Sequence, residues 1–221
     1  MKNNKNTKTD FDSIIGKVNP KNEQIKRKFQ KYCKHSMGYS EKTITSIMKA
    51  VCDYQEFSNL EDFKKFNANK AIGYKDYAVN KISTRTNEKI KLSTVKDYLR
   101  YLKTFFKWLA NQEGYKKAIN LEHINCLRLS RKEEEIATRS QRKEYPTLEM
   151  VKKVIDTIPN DEIGMRDKAL ISFLLASGGR NSAVASLPIE CFNLANLEVD
   201  FNAAKGVRMK FGKSYLSYLF I

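Results

Sequence analysis

The chain has 221 residues, 41% of them hydrophobic, which is enough to bury one large core or two smaller ones and marks it as globular. Lys and Arg number 41 against 25 Asp and Glu, and the resulting charge of +16 is spread along the chain, so a polyanionic partner is expected. The apolar runs fall far short of the ~20 residues that cross a bilayer and no segment reads as a signal peptide, which sets membranes aside in favour of nucleic acid and places the protein in the cytoplasm.

Residues 1–20, rich in Asn, Lys and Thr and ending at Asn19-Pro20, lack periodicity and read as a flexible basic arm. From Asn22, Ile25, Phe29, Tyr32 and Cys33 recur at helical spacing up to a stop near Gly38. Ser40 is the N-cap of a second helix with Ile44, Ile47, Met48, Val51 and Tyr54 on one face, and Lys42 in its first turn is a candidate DNA contact. A third helical segment, residues 61–66, leads past Asn67-Ala-Asn69 into a fourth through Ile72 and Tyr77 to Ile82. Residues 83–91 are polar and read as a loop or short hairpin.

Ser93 is expected to cap the strongest helix of the chain. Val95, Tyr98, Leu99, Leu102, Phe105, Phe106 and Leu109 form one continuous apolar stripe. The opposite face carries Lys96, Arg100, Lys103 and Lys107, with Thr94 and Thr104 among them, a pattern suited to a helix laid along DNA phosphates or to a plainly solvated face. After a short apolar segment, 119–127, residues 128–144 alternate basic and acidic side chains and read as an interdomain linker. Its Arg128, Arg131, Lys132, Arg139, Arg142 and Lys143 could follow a nucleic-acid backbone.

A second unit begins at Tyr145. Thr147 caps a helix with Leu148, Val151, Val154, Ile155 and Ile158 inward, ended by Pro159. The next helix, 161–176, is apolar on nearly every side in its second half and is expected at the centre of the second core. Gly178-Gly179 stops it, Asn181 and Ser182 are candidate caps for a helix that restarts behind the turn, and Arg180 projects from the turn itself. An arginine fork there can hold a phosphate; capping helix carbonyls or pairing with an acid is the other reading. Residues 197–201 then alternate with period two, residues 214–221 are rich in Tyr, Leu and Phe, and Lys205, Arg208, Lys210 and Lys213 crowd the segment between them. A lysine-rich β-turn reaches a phosphate, though an exposed hairpin looks the same. The four cysteines form no C-x-x-C pair, the two histidines have no metal-ligand spacing, and no metal site or disulfide framework is indicated.

Taken together, these segments resemble the tyrosine recombinases of the phage-integrase family. Ser93-Thr-Val-Lys-Asp-Tyr-Leu-Arg-Tyr-Leu-Lys-Thr-Phe-Phe-Lys-Trp-Leu109 is similar to a helix of that family's core-binding domain, and Tyr39-Ser-Glu-Lys-Thr-Ile44 to the start of an earlier one. Arg166-Asp-Lys-Ala-Leu-Ile-Ser-Phe-Leu-Leu-Ala-Ser-Gly-Gly-Arg180 resembles the helix and turn that present the first catalytic arginine, and Val207-Arg-Met-Lys-Phe-Gly-Lys-Ser-Tyr-Leu-Ser-Tyr218 the hairpin of the catalytic lysine.

The resemblance implies a mainly α fold. A helical, SAM-like core-binding domain over 21–127 and a linker over 128–144 would be followed, over 145–221, by part of a mixed α/β catalytic domain with a small β-sheet. It implies duplex DNA as partner, allows self-association on it, and needs no metal or cofactor. Site-specific recombination in that family runs through a 3′-phosphotyrosyl link. Arg180 would stabilise the phosphorane-like transition state and Lys210, with Lys205 as competitor, would protonate the leaving 5′ oxygen. Lys205 and Lys213 would also touch DNA. Where the family has an acid three residues after the arginine, this sequence has Ala183. The family's His-x-x-Arg motif and nucleophilic tyrosine lie beyond Ile221, and Tyr215 and Tyr218 read as strand residues. The expectation is therefore a DNA-binding chain inactive in recombination on its own, or a non-catalytic regulator or competitor at recombination sites.

Overall fold

A computed structural model describes residues 19–139 and 144–219. The expected DNA contacts Arg142 and Lys143, and residues 1–18 of the arm, lie outside the described residues. Two compact units divide the chain, Met1–Gln141 and Arg142–Ile221. The fold is mainly helical, with one small antiparallel sheet.

In the first unit, α1 spans Pro20–His35, α2 Glu41–Phe57, α3 Ala68–Asn80, α4 Leu92–Leu109, α5 Leu121–Asn125 and α6 Arg131–Thr138. Asn19 and Pro20, assigned to the arm from sequence, instead start α1. The Asn19 side chain accepts from the N–H groups of Lys21 and Asn22, and Pro20 sits where a helix has no use for its missing N–H. Ser40 caps α2 as expected. Of the expected helix over 61–66 only a 3₁₀ turn, Phe63–Lys65, forms. It is tied down by Asn22, fully buried, whose amide donates to the Glu61 carbonyl at 2.7 Å and accepts from the Phe63 N–H at 3.2 Å. The inward face of α3 is Ala71, Tyr74 and Ala78, while Ile72 and Ile82 are exposed. An isolated bridge, Ile82 to Lys89, makes the 83–91 segment hairpin-like.

The helix α4 is the axis of this unit. Val95, Leu99, Leu102, Phe105, Phe106 and Leu109 are buried and Tyr98 is partly so, which matches the expected stripe. Its start does not match: the N-cap is Lys91, with no side-chain cap bond, and Ser93 lies inside the first turn. Around the two adjacent phenylalanines the core is aromatic. Phe106 stacks on Phe66 at 3.9 Å and meets Tyr54 edge-on at 5.2 Å, while Phe105 meets Phe29 at 5.1 Å and Phe63 at 5.0 Å.

Within the stretch expected to be a linker, α6 forms. Ser130 and Glu133 make a full capping box, Leu129 is buried just before it, and Ala137 packs on the core. The periodicity rule missed this helix because it buries almost nothing apolar; its cap and its ion pairs to α3 and α4 hold it instead.

In the second unit α7 spans Leu148–Thr157, α8 Glu162–Ser177 and α9 Asn181–Val184, and the strands are β1 Phe192–Asn193, β2 Glu198–Phe201 and β3 Tyr215–Tyr218. The sheet order is β1-β2-β3, antiparallel throughout, with Phe192 opposite Val199 and Phe201 opposite Tyr215. Ala183, Cys191, Val199, Phe201 and Val207 form the core, with Phe173 packed against it.

Two expectations fail here. Although Thr147 caps α7 as expected, no residue of α7 is buried; Leu148 is 54% and Val154 53% exposed. Nor is α8 central. It stops at Gly178 as expected, while Asp161, read as its first residue, is its N-cap; only Gly164 and Ser177 are buried, and Leu170 and Leu175 are exposed. The core forms around β2 and the α9 turn, and a patch that small covers one side of a helix. An all-round apolar sequence therefore overstates how much of α8 is covered.

Candidate nucleic-acid interface

Four basic positions were expected on one face of α4, and the structure gathers three of them in one groove. Lys96, Arg100 and Lys103 line a groove of about 210 Å³ together with Leu99, Leu127, Arg128, Leu129 and Glu134. Lys107 lies one helical turn beyond Lys103 and is exposed. Arg128, read from sequence only as part of the linker, is brought to α4 because the chain turns back after α5 and buries Leu127 and Leu129 on either side of it. Thr94 is half-buried in the first turn of α4, Lys42 is exposed in the first turn of α2, and exposed Arg139 ends α6.

The groove cations differ in how far they are neutralised. Arg100 is held by Asp97 at 2.8 Å and rides over the Tyr101 ring at 4.7 Å. Lys96 pairs with Glu134 at 3.0 Å. Lys103, Lys107 and Arg128 have no ion pair among the described residues. Burial pulls the Lys103 ammonium below its ordinary range, Lys107 and Arg128 push it further, and Glu134 opposes them. Uncompensated positive charge beside a desolvated lysine is relieved by an anion. A larger cleft of about 530 Å³, lined by Glu23, Lys26, Cys52, Gln55, Glu56, Asn59 and Leu60, mixes acid with base and has no such excess.

In the second unit Arg180 is itself the N-cap of α9, so Asn181 and Ser182 are not caps; its carbonyl accepts from the N–H groups of Ala183 and Val184. Its side chain is exposed, with no acid and no carbonyl bound among the described residues. Three contacts fix the turn. Gly178 takes φ 60°, the left-handed conformation that stops α8. Ser217 on β3 donates to the Ser177 carbonyl at 3.1 Å. A Cβ on Gly179 would sit 2.9 Å from Phe201 and 2.8 Å from Val184. Because the Phe201 ring is fully buried and cannot swing aside, Gly179→Ala should cost the second unit about 1–3 kcal/mol. Hydrogen exchange at β2 amides would show it as faster opening, with no change in α4.

Ala183, where an acid was expected by resemblance, is a core residue here, and a carboxylate in its place would be buried. The lysine segment follows β2. Lys205 pairs with Asp200 at 2.8 Å, which raises the lysine above and holds the carboxyl below their ordinary ranges, so this lysine is already committed. Lys210 and Lys213 are exposed, Lys210 lying over the Phe211 ring at 5.2 Å. The segment is pinned where Val207 is buried and the Arg208 N–H donates to Ser186 Oγ at 2.8 Å. Tyr215 stacks on Phe201 at 4.7 Å, and both Tyr215 and Tyr218 are strand residues.

Among the described residues no group of three or more His, Cys, Asp and Glu is placed to hold a metal. No helix among them is long and apolar enough to cross a membrane, and the four cysteines are free. No protein-family model and no curated protein matches the sequence. Among solved structures, a XerA recombinase is similar over 90% of this chain and 59% of that one, at 18% identity and a TM-score of 0.35. The chain thus spans less than two thirds of that protein's length.

Proposed function

We propose that the chain binds duplex DNA, with the α4 groove as its principal phosphate-binding face, and that it is a protein of the tyrosine-recombinase type. The observation that carries the DNA reading is the cluster of Lys103, Lys107 and Arg128, three cations in or beside one groove with no ion pair among the described residues. The recombinase reading rests on the motifs of α4, of the Gly178-Gly179-Arg180 turn and of the lysine segment. In it Arg180 is a phosphate-directed side chain with no acid bound among the described residues, and Lys210, without an ion pair among them where Lys205 is paired, is the candidate proton donor.

The test is binding to a labelled 30-base-pair duplex at two salt concentrations. About four phosphate contacts from the groove weaken affinity roughly a hundredfold between 50 and 200 mM salt. Absence of binding at 50 mM, or affinity indifferent to salt, would overturn the reading. Equal affinity for structured RNA would redirect it to RNA.

A further inference from the structure

The helix α6 sorts its charges by side. Glu133 reaches Lys75 of α3 at 3.3 Å and Glu134 reaches Lys96 of α4 at 3.0 Å. Arg131 keeps 95% of its side chain in solvent, and Lys132 and Arg139 are exposed. The acidic side thus lies against the basic face of α4, and among the described residues lining the α4 groove the one acid is Glu134.

We propose that α6 is a displaceable counter-ion for α4: the Glu134 carboxylate occupies the place on the groove that a DNA phosphate takes, so DNA and α6 compete for Lys96 and Lys103. This rests on the groove being a DNA-binding face. A carboxylate and a phosphate oxygen offer a lysine the same acceptor chemistry, and only one can fill the site. The helix is built to let go. None of its residues is fully buried, and its pair with Lys96 is half-exposed and screened by salt. Eight residues are also too few to stay helical away from a packing surface, so a displaced α6 unfolds. Displacement removes the Glu134 carboxylate that opposes the positive charge around Lys103 and leaves the groove to the polyanion.

The experiment compares the full chain with Glu134→Gln, which keeps side-chain shape and leaves the Ser130–Glu133 capping box intact. Expected are a three- to tenfold tighter complex with the 30-base-pair duplex at 100 mM salt and a salt slope more negative by about one. Glu135→Gln, which removes the same charge from a carboxylate paired, among the described residues, with Arg131 alone, should stay within about twofold of the parent. Hydrogen exchange of the 131–138 amides in the parent protein should speed up on adding DNA. Unchanged or weaker binding by Glu134→Gln, an equal gain from Glu135→Gln, or slower exchange of α6 in the complex would each overturn the proposal. Failure of both parent and variant to bind at 50 mM salt would overturn the DNA reading, a different outcome from binding that ignores residue 134.

Discussion

Reversing the charge of Lys103 and Arg128 together, Lys103→Glu with Arg128→Glu, should weaken duplex binding about a hundredfold at 100 mM salt and flatten the salt slope by about two. The size of the effect comes from where these cations stand. Neither has a carboxylate partner among the described residues, so each is available to a phosphate; Lys96 and Arg100 already spend part of their charge on Glu134 and Asp97. Lys103 is also partly desolvated, which strengthens whatever charge it meets. Fluorescence anisotropy measures the loss, and a thermal melt equal to the parent's separates it from unfolding. Arg180→Ala removes at most one phosphate contact, in the other unit, and should change affinity less than tenfold. If Arg180→Ala is the more damaging substitution, the groove is not the main face.

Phe106→Ala should destabilise the first unit by about 3–5 kcal/mol, a large share of what a domain of this size has to lose. The ring is fully buried and contacts Tyr54 of α2, Phe63 and Phe66 at the 3₁₀ turn, and its neighbour Phe105 on α4. Cavity formation there opens a seam between α2, the 3₁₀ turn and α4 at once. The chain has one tryptophan, Trp108, whose ring lies 5.0 Å from Phe29 in this same core, so its fluorescence in a urea titration follows the first unit alone. Phe211→Ala, by contrast, removes a ring that is 83% exposed and should leave stability within about 0.5 kcal/mol. A midpoint for Phe106→Ala within error of the parent's would contradict the packing described.

The groove was only partly legible in the sequence. Lys96, Arg100, Lys103 and Lys107 share a helix face by spacing alone, so their alignment could be read directly. Arg128 could not, because its arrival depends on how the chain turns after α5, a property of packing at Leu127 and Leu129. The acid on the groove was missed for the same reason. Glu134 sits in a run of mixed charges that local reasoning treats as solvated, and only the docking of α6 on α4 turns it into a neighbour of Lys96. A capping box, Ser130 with Glu133, was the available signal that a helix starts there.

The second unit shows where such reading overreaches. Apolar residues at helical spacing on α7 were expected to face a core, yet hydrophobic character says what a side chain would gain by burial and not whether a partner surface is present. The same limit applies to α8, whose apolar sides outnumber the faces its five-residue core can cover. Lys205 and Lys210 are equivalent by composition; Asp200, on the neighbouring strand end, separates them.

By itself, then, the sequence determined what depends on short chain separations: the α4 stripe, the Ser40 and Thr147 caps, the left-handed glycine stop before Arg180, and the excess of positive charge. Tertiary structure alone decided which charges meet. Arg128 joined Lys103, Glu134 came to Lys96, Asp200 took Lys205, and Arg180 and Lys210 were left without an acid among the described residues. The physical reason is one of range. Helix periodicity, capping and glycine conformation act over three or four residues, whereas an ion pair between residues 38 apart, as between Lys96 and Glu134, exists only once the hydrophobic core has fixed the path of the chain between them.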